Sequence, residues 1–266
     1  MPRYFLDLAF SGRNYKGWQV QSRKDAQTVQ GVLNQALSTL LDTEVKCNGA
    51  GRTDTGVHAR QFYAHFDSEE ALDDDLTRRL NLIIPPDIVI RRILPVADRA
   101  HARFDAVSRS YEYYIHRHKD PFLFDSSFYY PFHPVQIGIM NKAASMLSGF
   151  SNFKPLSRKK LNVKTYACRI TEAQWHWLEA TGQWRFTITS DRFLRGMVRR
   201  IVGTMLLISK GTIDLHEFGK VMNETGVFSR SLSVPPNGLF LTAVRYPFLA
   251  ALGLFQVTLS CHLITQ

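Results

Sequence analysis

Residues 49–59 read GAGRTDTGVHA, a polar, glycine-rich stretch that separates two segments with the pattern of β-strands. On its C-terminal side, Phe62, Ala64 and Phe66 recur at every second position, which predicts a strand with one buried face. The glycines allow a tight turn and the close approach of a bulky ligand. We therefore predict a loop between two strands. Asp54 is its candidate functional residue, unless this carboxylate only caps the loop as an Asx-turn.

Apolar periodicity outside this loop predicts strands and helices intermixed along the chain. Alternate residues from Tyr4 to Phe10 are apolar, as in a strand, and Thr28 is a suitable N-cap for a helical apolar stripe that begins at Val29. Further predicted elements are strands near 45–47, 62–66, 88–93, 111–116, 169–177 and 184–190, and helices from 73–75 to Pro85, over 135–147 and over 194–209. Hairpin-like neighbours favour an α+β fold with a mixed, mostly antiparallel sheet flanked by helices.

The predicted elements fall into two α/β halves. We place the boundary near residue 105, with residues 1–105 carrying the Asp54 loop and residues 106–247 forming the second half. Residues 248–266 form an apolar tail without Asp, Glu, Lys or Arg. Glycine and polar residues interrupt this tail, so packing or a partner surface is favoured over a membrane span.

Charge and cysteine content restrict the classes of partner. The chain has 33 Lys and Arg against 23 Asp and Glu, a formal charge of +10, which attracts a polyanion such as RNA. Three widely separated cysteines form no Cys-x-x-Cys pair. This pattern argues against a disulfide scaffold or a zinc site and fits a reducing cytoplasm.

The triplet Asp54-Thr55-Gly56 also occurs in aspartic proteases, which use two carboxylates that share a proton. The chain contains no second Asp-Thr-Gly or Asp-Ser-Gly, so only a protease assembled from two subunits is compatible with the sequence. Arg52 places a cation beside the triplet, where such proteases have apolar strand residues. The immediate neighbours of Asp54 therefore disfavour this reaction class.

Five ordered motifs resemble those of the TruA family of tRNA pseudouridine synthases. They are GRTDTGVHA at residues 51–59, FSGRNYKGWQVQ at 10–21, HARF at 101–104 with RSYEY at 109–113, FLRGMVRRIVG at 193–203, and PNGL at 236–239 with VRYP at 244–247. Together they cover nearly the whole chain, so the resemblance is far more specific than a single glycine-rich loop. Two departures, Arg195-Gly196 and Arg200, occupy positions where many family members have other residues.

The resemblance implies the pseudouridine synthase fold with a central basic cleft, and a reaction that needs no cofactor and no metal. Asp54 would be the catalytic carboxylate. Arg199 would pair with Asp54 and keep it charged, and Tyr111 would pack on the target uracil with its hydroxyl near C5. Arg195, three and four residues from Arg192 and Arg199, would share a cationic face of the predicted helix over 194–209 and contact substrate.

The resemblance also implies a substrate and a setting. The target uridine must leave its helical stem, and Arg52 is the candidate for holding the vacated space. His58 would contact RNA phosphate or order the loop. The implied enzyme is a cytoplasmic homodimer with no membrane attachment, acting on uridines 38, 39 and 40 of the tRNA anticodon stem-loop. A catalytically silent RNA-binding module is the alternative, and it would tolerate the loss of Asp54.

Overall fold

The computed structural model describes residues 1–22, 26–69, 71–158 and 163–251. Its strands are β1 (Arg3–Phe10), β2 (Asn48–Gly49), β3 (His58–Asp67), β4 (Ile88–Val96), β5 (Ser108–His116), β6 (Phe128–Tyr129), β7 (Ile170–Leu178), β8 (Gln183–Ser190) and β9 (Leu239–Arg245). Its helices are α1 (Val29–Leu41), α2 (Leu76–Ile83), α3 (Ile137–Met146), α4 (Met197–Ser209), α5 (Leu215–Asn223) and α6 (Pro247–Ala251). None of the helices in these residues is long and apolar enough to cross a membrane.

The strands form one sheet of order β4-β1-β3-β9-β5-β8-β7, with β2 beside β3 and β6 beside β5. Only two pairings, β3 with β9 and β5 with β6, are parallel among the described strands. The predicted α+β fold with a mostly antiparallel sheet is therefore confirmed. The last strand, β9, lies between β3 and β5 and joins segments that are distant in sequence.

Two hydrophobic cores lie along this sheet. The first contains residues of β1, α1, β3 and α2, and it also takes Leu241, Val244 and Tyr246 from the C-terminal end of the chain. The second contains residues of β5, α3, β8, α4 and α5. The division at residue 105 stays a prediction. Strand β9 contributes to both cores, with Leu239 in the second and Leu241 and Val244 in the first. Of the predicted tail at 248–266, residues 252–266 lie outside the described residues.

The first helix shows how the sequence sets the local structure. Thr28 Oγ1 accepts a hydrogen bond from the Gly31 N–H at 3.2 Å and caps the helix N-terminus. The strand predicted near 45–47 is wrong, and the short strand β2 follows at Asn48 instead. A strand would need the backbone N–H groups of this segment, but the Val45 N–H donates to Ser38 Oγ and the Cys47 N–H donates to Asn34 Oδ1, both on α1.

The second correction concerns α4. This helix was predicted to begin at Leu194, but it begins at Met197, because Gly196 adopts a left-handed conformation with φ 70°. Arg192 and Arg195 therefore precede the helix, and the predicted helical face shared with Arg199 is wrong. The short strand β6 and the helix α5 were not among the predicted elements.

Candidate active site

The glycine-rich loop ends in a tight turn that presents Asp54. The Val57 N–H donates to the Asp54 carbonyl at 3.2 Å and closes four residues into a turn. Gly56 occupies the third position with φ 77°, a conformation that L side chains rarely adopt. A Cβ on Gly56 would lie 3.0 Å from Cγ of Pro236, so the segment before β9 packs directly on the turn.

The motif at residues 10–21 packs against this turn. A Cβ on Gly12 would lie 2.0 Å from the Val57 carbonyl oxygen, so only glycine permits the observed approach of the two backbones. The Gly56 N–H donates to the Tyr15 carbonyl at 3.3 Å. His58 Nδ1 accepts the Gly12 N–H at 3.1 Å. The motif at residues 10–21 thus positions the loop through backbone contacts.

Arg109 holds the beginning of the loop. Its Nη2 donates to the carbonyls of Ala50 at 3.0 Å and Arg103 at 2.7 Å, and its Nη1 donates to those of Ala106 and Asp191. One guanidinium therefore ties the loop to β5, to the segment before β5 and to the end of β8. Its five fixed N–H donors suit this role better than a lysine ammonium would.

Two arginines flank the Asp54 carboxylate. Arg195 Nε lies 3.3 Å from Oδ1, and Arg199 Nη1 lies 3.5 Å from Oδ2. The Arg199 side chain is 21% exposed and also donates from Nε to the Val234 carbonyl at 2.7 Å, whereas the Arg195 side chain is 60% exposed. The predicted contact between Asp54 and Arg199 is present in the structure. Arg195 reaches the same carboxylate from the turn that precedes α4.

Asp54 lies in a cleft of about 440 Å³. The lining residues are Asp54, Thr55, Arg158, Arg195, Gly196, Arg199, Arg200, Ser233 and Pro236. Four of these residues are arginines and one is acidic, so the cleft has a net positive charge and favours a polyanionic ligand. The lining also lacks the second carboxylate that aspartic protease chemistry requires.

Two cleft arginines, Arg158 and Arg200, were not predicted as site residues. Arg158 begins the basic run RKK at 158–160, whose two lysines lie outside the described residues. The Arg158 N–H donates to the Arg195 carbonyl at 3.1 Å, which places Arg158 at the cleft. The sequence signal for Arg200 was its departure from the family pattern.

Tyr111 lies on β5 and, like His58, is not among the residues that line this cleft. Its ring contacts Phe193 edge to face, with centroids 5.1 Å apart. Burial raises the pKa of Tyr111 to about 12, Arg109 opposes this rise, and the negative charge of Asp54 adds to it. The phenol is therefore protonated at neutral pH.

The two other predicted contacts have different surroundings. Arg52 is exposed near the start of the glycine-rich loop. His58 is 4% exposed, stacks on Phe240 with ring centroids 4.6 Å apart, and has a pKa lowered chiefly by burial. His58 is also absent from the residues that line the cleft. Its position supports ordering of the loop, and we assign it no substrate contact.

Within the described part of the chain, no group of three His, Cys, Asp or Glu side chains is arranged to hold a metal ion. The two cysteines that the structure describes, Cys47 and Cys168, are buried thiols. Burial raises the pKa of Cys47 to about 12 and that of Cys168 to about 11, so neither is a ready nucleophile. Among the described residues that line the cleft, the ionisable groups are thus Asp54 and the four arginines.

Comparison with known proteins identifies the family. Residues 143–247 match the family model described as tRNA pseudouridine synthase. The chain is 46% identical over 248 residues to tRNA pseudouridine synthase A of Azobacteroides pseudotrichonymphae, covering 93% of this chain and 98% of that protein. The proteins of the same name from Porphyromonas gingivalis and Parabacteroides distasonis are 43% and 42% identical, with 98% and 97% of their lengths covered. The chain therefore belongs to the tRNA pseudouridine synthases, isomerases that act on tRNA.

Proposed function

We propose that this isomerase converts uridines 38, 39 and 40 of the tRNA anticodon stem-loop to pseudouridine, with Asp54 as its catalytic carboxylate. One observation carries the proposal: Asp54 is the only acidic group among the described residues that line the cationic cleft. The arginines suit the phosphates of a folded RNA arm, and a carboxylate among them can act on the sugar or base that the arm presents.

The reaction moves one bond and keeps the atoms and electrons balanced. The N1–C1′ bond of the uridine breaks, the base turns, and C5 bonds to the same C1′; the proton on C5 leaves and N1 gains one. Asp54 can attack C1′ or C6, or it can stabilise a glycal-forming path. In each case an ionised carboxylate is needed, and the guanidinium groups of Arg195 and Arg199 lie 3.3 Å and 3.5 Å from its two oxygens.

Tyr111 and Arg52 have supporting roles in this proposal. The Tyr111 ring offers a surface on which the uracil can stack. Its hydroxyl is protonated at neutral pH, so it can accept the C5 proton only when another base takes the hydroxyl proton. Arg52 is exposed at the loop entrance, where a long cationic side chain can occupy the space that the flipped uridine leaves.

The proposed setting follows from the family. A homodimer would offer two clefts to tRNA, and the cytoplasm is where such a substrate is found. The charge of +10 supports a polyanionic partner without identifying the assembly. Sedimentation of the protein with and without tRNA would establish the number of chains that bind one RNA molecule.

The test is tritium release from tRNA labelled at uridine C5. We expect release with the unchanged protein and none with Asp54→Asn, while tRNA affinity stays within a few-fold because the variant keeps the shape of the site. Asp73→Asn, an exposed carboxylate change outside the cleft, is the matched control. Transcripts in which uridine 38, 39 or 40 is replaced by cytidine would locate the modified positions.

Each alternative outcome has a definite meaning. Full activity of Asp54→Asn would remove the catalytic role of this residue, and release that persists when all three uridines are replaced would remove the proposed positions. Binding without release by the unchanged protein would favour the RNA-binding module. In the same assay, unchanged release by Tyr111→Phe would exclude a proton-transfer role for the tyrosine hydroxyl.

A further inference from the structure

A large aromatic side chain projects into solvent near the catalytic loop. Phe104 is 74% exposed, in the segment between β4 and β5. Its ring lies 4.3 Å from the His101 ring between centroids, and Cζ of Arg103 lies 5.7 Å from its centroid. A largely exposed aromatic ring with a cation close to it is a suitable platform for a nucleobase.

The turn that carries Phe104 is fixed by side chains that accept backbone hydrogen bonds. His101 Nδ1 accepts the N–H groups of Arg103 at 3.1 Å and Phe104 at 3.4 Å. His65 Nδ1 accepts the Ala102 N–H at 3.1 Å, and Asp105 Oδ2 accepts the His101 N–H at 2.7 Å. The exposed ring is thus held on an ordered turn, so a ligand that stacks on it meets a surface that is already organised.

This turn is coupled to the catalytic loop. Arg109 Nη2 donates both to the Arg103 carbonyl and to the Ala50 carbonyl, two residues before Arg52. Burial lowers the pKa of Arg103, and the charges of Arg52, Arg109 and Arg192 lower it further. We call Arg52, Arg103, Arg109 and Arg192 the cationic cluster. Phe104 directly follows Arg103, and Arg109 ties the Arg103 carbonyl to the Ala50 carbonyl at the start of the Asp54 loop.

We propose that Phe104, supported by His101 and Arg103, is a stacking platform for an unpaired nucleobase of the tRNA next to the target uridine. Neighbouring arginines would hold the phosphates on either side of that base. The ring accepts any base, because every nucleobase has a π-face, so the platform would position RNA without selecting its sequence. The proposal rests on the proposed binding of the RNA arm at the Asp54 cleft.

The test measures affinity separately from the chemical step. The dissociation constant for an anticodon stem-loop RNA is measured with the unchanged protein and with Phe104→Ala, Phe104→Leu and Phe104→Trp. Loss of one stacked base predicts affinity weaker by on the order of 5- to 100-fold for the Ala variant. We expect near-normal affinity for the Trp variant and partial or no recovery for the Leu variant. In all three variants, the single-turnover rate at saturating RNA should change by less than about 3-fold, on the order of the experimental error.

Phe132→Ala is the matched control, because Phe132 is a phenylalanine with a similar exposure of 71% outside the cationic cluster. It should leave RNA affinity unchanged. A second readout is the salt dependence of binding: Phe104→Ala should keep the slope, since it removes no phosphate contact, whereas Arg103→Met should reduce it.

Several results would overturn the platform. These are equal RNA affinity of Phe104→Ala and the unchanged protein, full recovery by Leu, or an equal loss of affinity in Phe132→Ala. A change of oligomeric state in Phe104→Ala with unchanged RNA affinity would mean that this ring contacts protein instead. Because binding is measured directly, failure of the Asp54 chemistry in the tritium assay would not alter these outcomes.

Discussion

Replacing Gly12 by alanine should displace the Asp54 loop although Gly12 has no side chain of its own. A Cβ at this position would lie 2.0 Å from the Val57 carbonyl oxygen and 2.5 Å from its carbonyl carbon. Both atoms belong to backbone, so no side-chain rotation can relieve the contact. Because the Val57 N–H closes the turn onto the Asp54 carbonyl, a shift of Val57 moves Asp54 with it.

The size of the shift follows from the geometry. Ordinary contact begins at 3.4 Å, so the two segments must separate by roughly 1.4 Å. Overpacking of this kind costs about 1–3 kcal/mol of folding stability. A misplacement of about 1 Å at a reacting group costs on the order of 100-fold in rate, so we expect kcat to fall by about that factor.

Single-turnover tritium release at saturating tRNA measures this loss, and urea unfolding measures the change in stability. Gly149→Ala is the matched control, because a Cβ there meets no atom within 4 Å. We expect Gly12→Ala to bind tRNA with near-normal affinity, since the cleft arginines lie on other segments. A folded Gly12→Ala protein with full kcat would refute the view that this close approach positions Asp54.

Two further predictions concern charge. At 3.5 Å, unit charges interact by at most about 5 kcal/mol at an effective dielectric constant of roughly 20, and solvent screening of the part-exposed pair of Arg199 and Asp54 reduces this to roughly 3 kcal/mol. A pair as exposed as that of Arg195 contributes at most about 1 kcal/mol. In tritium-release kinetics, Arg199→Met should therefore lower kcat on the order of 100-fold, and Arg195→Met should mainly raise KM. Burial lowers the pKa of His65 from 6.5 to about 4, so its neutral ring stabilises the fold by about 3 kcal/mol above pH 6.5, and this contribution is lost as the pH falls toward 4. Urea unfolding at pH 7 and pH 4.5 should show a larger loss for the unchanged protein than for His65→Gln, and equal losses would contradict this assignment.

Apolar periodicity predicted the elements whose buried face runs along their whole length. The strand from Tyr4 to Phe10 and the helix from Val29 were found this way, although the structure buries residues 5–8 of the strand on both faces of the sheet. Periodicity failed where a side chain or a special backbone conformation decided the boundary. The Val45 N–H donates to a side chain of α1, and the left-handed conformation of Gly196 makes α4 begin at Met197. Neither feature follows from the pattern of neighbouring residues.

The site was predicted only in part, for a physical reason. Asp54 was identified from its local loop, but its pairing with Arg199 joins residues 145 positions apart and came from the resemblance to the family. The approach of Arg195 to Asp54 depends on the unusual turn before α4, and the position of Arg158 depends on a backbone bond to Arg195. Spacing along the chain contains no information on such contacts.

The Asp54 loop shows why motifs from distant segments come together at one cleft. Its turn has one described internal backbone bond, from Val57 to Asp54, and fixing each residue of such a loop costs about 1–2 kcal/mol of conformational entropy. One bond cannot offset that cost, so the position of Asp54 must come from outside the loop. Gly12 and Tyr15 contact it from the first motif, Arg109 from the start of β5 and Pro236 from the segment before β9. Gly12 and Tyr15 contact backbone atoms of the loop, and Arg109 donates to its carbonyl at Ala50. A substitution in any of these segments should therefore shift the position of Asp54 through the backbone, without removing a contact to RNA.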